Sequence, residues 1–443
     1  MIQPKFNPAN IVFSFAAVSD WHIKDEMGQY NQQKLTSALI QLRKRAAAED
    51  ANGLAAIVAA GDLTHDGKEN EIIAMRRVLN SVIDTTKTAF VYVAGNHDKH
   101  DPDVNLTYDR LFTEACAKAY DTCTLSPDGV WSGARHISVR GVHFITLGPD
   151  KFYKKEPNTF PDLTKQWLDE TLAQITAENP NAYVFVITHQ LMWGTCYGSV
   201  RGYFYASDDL TPILSKYPQV VTFGGHLHYP LNDDRAIMQT AYTAMETATM
   251  SDMLIDGHGL ANVIKNTKTE GNTDFSQGLL VQMDACGNLR VTRMDFFRET
   301  TIGEPWYLDA PTADGAHLTR YTAARRESAA QEFAETVMGK HFSIAPTTDS
   351  EDNPALALCF ETAHAPHPVR TYHVRVTDES DACVYEGAYL TDFYRHPDHR
   401  TMSEEMTVIL PALPAGTHHI SITARDCWDN ESAPLYGTFE IAS

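Results

Sequence analysis

No apolar run in the chain approaches the length of a membrane span, and the opening Met1-Ile2-Gln3-Pro4-Lys5 lacks the charged and apolar regions of a secretory signal. A soluble, cytoplasmic protein with no membrane partner is expected, an extracellular one being the alternative if a signal has been trimmed away. Cysteine is sparse and unpatterned: Cys116, Cys123, Cys196, Cys286, Cys359, Cys383 and Cys427 form no C-x-x-C pair, and their number is odd. Reduced thiols are expected, with Cys116 and Cys123 incidental neighbours. Positive charge is also short, 36 Lys and Arg against 57 Asp and Glu, for a formal charge of −21. Affinity for nucleic acid depends on basic residues that displace counterions from phosphates, so no nucleic-acid partner is expected and a nuclease is disfavoured. Internal repeats and low-complexity tracts are missing too.

The informative part is five short segments: Asp20-Trp21-His22, Gly61-Asp62, Gly95-Asn96-His97-Asp98, His189, and Gly225-His226-Leu227-His228. Each follows a short apolar run that reads as a buried strand: Ile11 to Val18, Leu54 to Ala60, Ala89 to Ala94, Tyr183 to Ile187 and Val220 to Phe223. The polar residues then lie at the carboxyl ends of strands, the edge where open α/β sheets form their crevices. Asp20 and His22 are two apart, which in extended chain turns both side chains the same way. Together the blocks offer enough oxygen and nitrogen donors for two metal ions.

Helical patterns lie between these strands, from Asn31 to Asp50, Glu69 to Val82 and Asp162 to Ala177. A hairpin is expected over Ala134 to Leu147 and another around Cys286-Gly287-Asn288. Strand-helix-strand order predicts a layered α/β domain over residues 1–300. Residues 301–340 read as a linker carrying a charged helix, Leu318 to Met338. Short, regularly spaced strands from about His341 predict an all-β sandwich over 341–443.

The five blocks resemble the calcineurin-like metallophosphoesterase superfamily, whose signature runs D-x-H, G-D, G-N-H-D/E, a lone H, and G-H-x-H. The resemblance covers about the first 300 residues and implies a layered α/β β-sandwich flanked by helices. It further implies one ion held by Asp20, His22, Asp62 and His228, and a second by Asp62, Asn96, His189 and His226, with Asp62 between them. Ligands without thiolate favour Mn, Fe or Zn. The implied chemistry is hydrolysis of a small phosphomonoester or phosphodiester by hydroxide, since water bound to such ions ionises near pH 7. His97 is implied as leaving-group acid or transition-state stabiliser, with Asp98 orienting its ring. Where purple acid phosphatases of the superfamily place a metal-binding Tyr three residues after the bridging Asp, this chain has His65, read as an exposed loop residue.

Substrate choice is expected in the aromatic loop after His189, with Trp193, Arg201, Tyr203 and Tyr205 as contacts; the bland alternative is a loop packed on itself. Two other functions compete. A degenerate fold used only for binding is opposed by the complete ligand set, and a protein phosphatase by the Asn-His-Asp form where those enzymes carry Asn-His-Glu. Towards the C-terminus, Leu413-Pro414-Ala415-Gly416-Thr417, Asp426, Asn430 and Ser432-Ala433-Pro434 resemble the end of a fibronectin type III domain, an immunoglobulin-like sandwich. Such an accessory domain either packs on the catalytic domain or binds a partner.

Overall fold

The apolar run Phe13-Ser14-Phe15-Ala16-Ala17-Val18 is buried on both faces, and this fixes the layering of the first part of the chain. The structure, a computed structural model, describes residues 4–27, 29–129, 133–149, 158–202, 206–255, 260–262, 273–395 and 403–442. It divides into two compact units, the first comprising Met1–Leu231, Arg235–Leu254 and Asn272–Ala323.

Numbered in chain order, the first unit's strands begin with β1 (Ile11–Val18), β2 (Leu54–Ala60), β3 (Ala89–Val93), β4 (Thr122–Leu125), β5 (Arg135–Val139), β6 (Val142–Thr146) and β7 (Val184–Ile187). They continue with β8 (Leu191–Met192), β9 (Ala206–Ser207), β10 (Val220–Gly224), β11 (Ile237–Gln239), β12 (Thr243–Glu246), β13 (Gln277–Asp284), β14 (Leu289–Asp295), β15 (Thr300–Thr301) and β16 (Trp306–Leu308). One sheet has the order β15-β14-β13-β1-β2-β3, with β16 also on β14; the second has the order β11-β12-β10-β7-β6-β5-β4. Strands β1, β2 and β3 run parallel, as do β6, β7, β10 and β12, so each sheet gathers several carboxyl ends at one edge.

Alternation along β1 separates two cores. Phe13, Phe15 and Ala17 face the second sheet, where the Phe15 ring lies 4.8 Å from Phe185, 5.3 Å from Phe144 and 6.0 Å from Phe223. Ala16 and Val18 face outward onto the helices Tyr30–Glu49 and Glu69–Val82, through Leu35, Leu39, Ile72 and Met75. Helix Asp162–Glu178 covers the second sheet through Leu168, Leu172 and Ile175. The result is helix, sheet, sheet, helix, the sandwich flanked by helices that the family resemblance implied.

On the hairpin β5–β6, His136 Nε2 lies 2.9 Å from His143 Nδ1. Burial, then the neighbouring His143, lowers the His136 pKa from 6.5 to about 4, and burial lowers that of His143 as well. Both rings are held neutral in the fold, so below pH 6.5 the unfolded chain takes up protons that the folded chain refuses. Stability is therefore fully present above pH 6.5 and falls as pH drops toward 4, by roughly 1–2 kcal/mol for His136 once its partial exposure is allowed for. His136→Leu should flatten this part of the pH dependence, read as the change in melting temperature between pH 7 and pH 5 in variant and wild type.

The segment expected to be a linker belongs in part to the first unit: β15 and β16 pair with β14, and Ile302, Trp306 and Leu308 enter the core between the sheets. The helix expected over Leu318 to Met338 is confined to Arg325–Phe333. Only Phe333 of that helix is buried, so little packing holds a longer one.

The second unit comprises Asn232–Asp234, Ile255–Gly271 and Ala324–Ser443. Its strands are β17 (Phe342–Thr348), β18 (Pro354–Glu361), β19 (Thr371–Asp378), β20 (Cys383–Leu390), β21 (Glu405–Pro411), β22 (Gly416–Arg425) and β23 (Leu435–Ile441). They form sheets β17-β18-β21 and β20-β19-β22-β23, closed on Leu358, Phe360, Val408 and Leu410 from one and Tyr372, Val374, Ile420 and Ile422 from the other. Residues from the middle of the chain join it: Ala261 N donates to Ala388 O at 2.7 Å, and Asn262 exchanges hydrogen bonds with Leu390 main chain. At the start of β22, buried His418 donates from Nε2 back to Pro414 O at 2.8 Å, the return bond that a tyrosine makes in many β-sandwiches.

Four hairpins across the two units turn by one device. Asp284, Asp349, Asp378 and Asp426 each accept the backbone N–H groups two and four residues on, at 2.8 to 3.0 Å. The residue three on, Gly287, Asp352, Asp381 or Asp429, has positive φ. No helix among the described residues is long and apolar enough to cross a membrane.

Candidate metal centre

At the carboxyl ends of β1, β2, β3, β7 and β10 the five sequence blocks meet. Their loops are joined by main-chain bonds, Asp20 N to Gly61 O at 2.9 Å, His22 N to Asp62 O at 3.0 Å and Gly225 N to His189 O at 2.9 Å. Space is tight enough that a Cβ on Gly95 would overlap Asp62 Oδ1 and one on Gly225 would overlap Asp20 Oδ2.

Five of the seven expected ligands have left-handed backbone: Asp20 (φ 55°), His22 (47°), Asp62 (51°), His226 (71°) and His228 (57°). This corrects the expectation that Asp20 and His22 converge through strand alternation. The strand stops at Val18, and successive left-handed turns aim the two side chains instead. Such conformations cost on the order of 1–3 kcal/mol per residue and persist where surroundings enforce them, commonly at functional sites.

The ligand atoms of Asp20, His22 and His228 lie within 4.8 Å of one another, as do those of Asp62, His189 and His226. In the first group, His228 Nδ1 donates to Asp252 O at 2.7 Å, which fixes its N–H. Its Nε2 is 3.0 Å from Asp20 Oδ1 and 3.2 Å from His22 Nε2. In the second, His189 Nδ1 donates to Ala60 O at 2.8 Å, leaving Nε2 3.3 Å from Asp62 Oδ2, 3.1 Å from Asn96 Oδ1 and 3.1 Å from His226 Nδ1. Asp62 Oδ2 is also 3.8 Å from His22 Nε2, which sets this carboxylate between the groups. One proton cannot satisfy three or four converging acceptors. A divalent cation can, and nitrogen with oxygen donors fits a transition metal.

The electrostatics agree. Burial disfavours charge on His228 and His189, but Asp20 and Asp62 respectively outweigh it and raise both pKa values to about 9. Burial, with neighbouring imidazoles, lowers His22 to about 4 and His226 to about 3. Burial also opposes ionisation of Asp62 and Asp20, yet the histidines hold both below the ordinary carboxylate range. Each carboxylate thus demands one positive charge, supplied by a proton or by a metal ion on the same atoms.

Residues 13–230 match the family model for calcineurin-like phosphoesterases. The chain carries a calcineurin-like phosphoesterase domain. No curated protein matches the chain. Among solved structures, the purple acid phosphatase PPD1 of yellow lupin (Lupinus luteus) is similar at 12% identity and a TM-score of 0.44, over 70% of this chain and 56% of that one. The chain thus spans little more than half the length of the lupin protein. A glycosyl hydrolase family 2 member from Bacteroides cellulosilyticus is similar at 8% identity and a TM-score of 0.23, over 98% of this chain and 65% of that one.

Within the phosphoesterase domain, His97 lies beside these two groups, and one of its ring nitrogens clusters with one each from His22 and His65 within 4.8 Å. Its ring meets His22 edge-on at 4.6 Å between centroids, and its backbone N–H donates to Asp62 Oδ1 at 2.8 Å. Asp98 does not orient that ring. Its buried carboxylate accepts from Leu63 N, Thr64 N, Thr64 Oγ1, Gly95 N and Tyr108 OH at 2.6 to 3.1 Å, tying the Gly61-Asp62 loop to the Gly95-Asn96 loop. What holds His97 is the carbonyl of His65, 2.9 Å from Nδ1. His65 is accordingly half-buried, its ring 5.4 Å from that of His97, and not the exposed loop residue expected.

Of the expected substrate contacts, Tyr203 and Tyr205 lie outside the described residues. Arg201 Nη1 donates to Tyr229 OH at 2.8 Å, and Tyr197 packs on the same ring at 5.2 Å, which anchors this loop beside the His226–His228 segment. Trp193 is half-buried against the core of Leu191, Leu227 and Tyr229.

Sequence reasoning missed Ser19 and the turn Thr247–Asp252, which surround Asp20 and His228. The signal was weak because β12, which delivers that turn, is only four residues, Thr-Ala-Met-Glu, without an apolar run.

Proposed function

We propose that this chain is a dinuclear metal-dependent hydrolase of a small phosphomonoester or phosphodiester. The convergence of buried acceptor atoms at five strand ends, with Asp62 between two groups, is the observation that carries the proposal. Asp20, His22, Asp62 and His228 would hold one ion and Asp62, Asn96, His189 and His226 the other, with Mn, Fe or Zn the suitable metals. When bound, such ions polarise the phosphoryl group and lower the pKa of water.

The remaining work falls to the chain's own residues. Held at Nδ1 by His65 O, the His97 ring keeps Nε2 for the substrate; in the imidazolium form that nitrogen donates a proton to the departing oxygen. Asp98 fixes the two loops on which Asp62 and His97 ride, so it is a positioning residue. The Trp193–Tyr205 loop is the proposed source of substrate choice, and the second unit, seven strands in sheets of three and four, is proposed as a fibronectin type III-like accessory domain.

The test is hydrolysis of p-nitrophenyl phosphate and bis(p-nitrophenyl) phosphate by the full chain with manganese. Turnover that requires the metal is expected on at least one ester. Purified protein that binds no transition metal would instead favour a phosphoesterase fold used only for binding.

A further inference from the structure

The turn after β12, Thr247-Ala248-Thr249-Met250-Ser251-Asp252, is buried apart from the half-buried Asp252, and hydroxyl groups crowd it. The Thr247 hydroxyl is 2.7 Å from Ser19 Oγ, and Ser19 Oγ in turn bonds Asp20 Oδ2. Thr249 Oγ1 donates to Asp20 O at 3.2 Å and accepts from Ser251 N at 3.0 Å. Met250 N donates to Ser19 O at 3.1 Å, so the turn is laced to the residues on which Asp20 sits. At its end the Asp252 carbonyl fixes the tautomer of His228. One step earlier, the Ser251 carbonyl receives the ammonium of Lys34, a lysine buried on the helix Tyr30–Glu49 whose Nζ also lies 4.7 Å from the Tyr30 ring centre. Ala248 has φ of 57°, a conformation held by the bonds on either side.

We infer that this turn, with Ser19 and Lys34, is the positioning scaffold of the Asp20–His22–His228 half of the centre and sets the metal affinity of that half. Its bonds run to Asp20, to Ser19 before it and to His228, and Thr247 also bonds Gly224 O, which is why the test falls on Thr249 and Lys34. On the other half, His189 and Asp62 are anchored to main-chain atoms of Ala60 and His97, outside the turn. Lys34 holds the Ser251 carbonyl, and so keeps the next carbonyl, that of Asp252, aimed at His228 Nδ1. Ser19, held by Thr247, joins His226 N on Asp20 Oδ2 and leaves Oδ1 facing His228 and the ion. Partners of this kind fix ligand orientation, and their loss typically costs about 10–100-fold in metal affinity.

The inference rests on the two-ion reading, and the experiment separates the two. Full-length wild type, Thr249→Val, Thr249→Ser and Lys34→Met are titrated with manganese by calorimetry, and with cobalt by visible absorption. Two binding steps are expected for wild type. Thr249→Val and Lys34→Met should weaken one step by about 10–100-fold and alter the cobalt spectrum of that step alone, with the other step unmoved. Thr249→Ser, which keeps the hydroxyl, should restore the wild-type step. Equal weakening of both steps, or no change in either, overturns the scaffold; a wild type that binds fewer than two ions overturns the two-ion reading and the scaffold with it.

Discussion

Asp62→Asn is expected to abolish metal-dependent hydrolysis for practical purposes while leaving the fold intact. The substitution is nearly isosteric, and Asn retains an oxygen to accept from His97 N, now at 2.8 Å from Asp62 Oδ1. What it removes is the charge between the two halves, where Oδ2 lies 3.3 Å from His189 Nε2 and 3.8 Å from His22 Nε2. An amide cannot present an anionic oxygen to each of two cations. Since an outer partner of a ligand is worth about 10–100-fold, loss of the bridging ligand should exceed about 100-fold in kcat/KM. Metal content by elemental analysis should fall with it. Manganese-dependent turnover that survives the substitution would sink the assignment of the site.

His97→Ala is expected to separate chemistry from metal binding. Its contact with Asp62 is made by the backbone N–H, which alanine keeps, so both ions should remain bound. Loss of the imidazole removes a proton donor worth about 10²–10⁴ in rate. If that donor serves the leaving oxygen, the loss is largest for poor leaving groups and small for p-nitrophenolate, which departs unaided. Rates across a series of aryl and alkyl phosphate esters should therefore depend more steeply on leaving-group pKa in the variant. A uniform loss across the series would remove His97 from acid catalysis and leave it a role in charge stabilisation alone.

Much of the site was legible because its side chains follow short, nearly continuous apolar runs; Phe13 to Val18 and Ala55 to Ala60 read as buried strands. The scaffold was not, because Thr243–Glu246 carries no apolar pattern and its importance arises from pairing with β10, a contact no local window contains. Asp98 was misread for a related reason. Adjacency to His97 suggested partnership, whereas a 3₁₀ turn at Asp98–His100 carries the carboxylate toward Leu63 and Thr64. In the second unit β17, β20 and β23 carry the weakest strand signal, each being half-exposed and mixed in composition. The aspartate-headed turns beside them, Asp349 to Asn353 and Asp378 to Ala382, were visible in the sequence but too irregularly spaced to look like a pattern.

The two halves of the centre share a geometric property. Asp20, His22, Asp62 and Asn96 hang from one sheet and His189, His226 and His228 from the other, so each group of candidate ligands spans the seam between sheets that elsewhere pack through a core of side chains such as Phe15, Val58, Phe185 and Val221. The centre is thus a clasp at the open edge of the sandwich. Until it is fastened, each sheet presents half a grip, and the left-handed backbone at Asp20, His22, Asp62, His226 and His228 has less reason to hold.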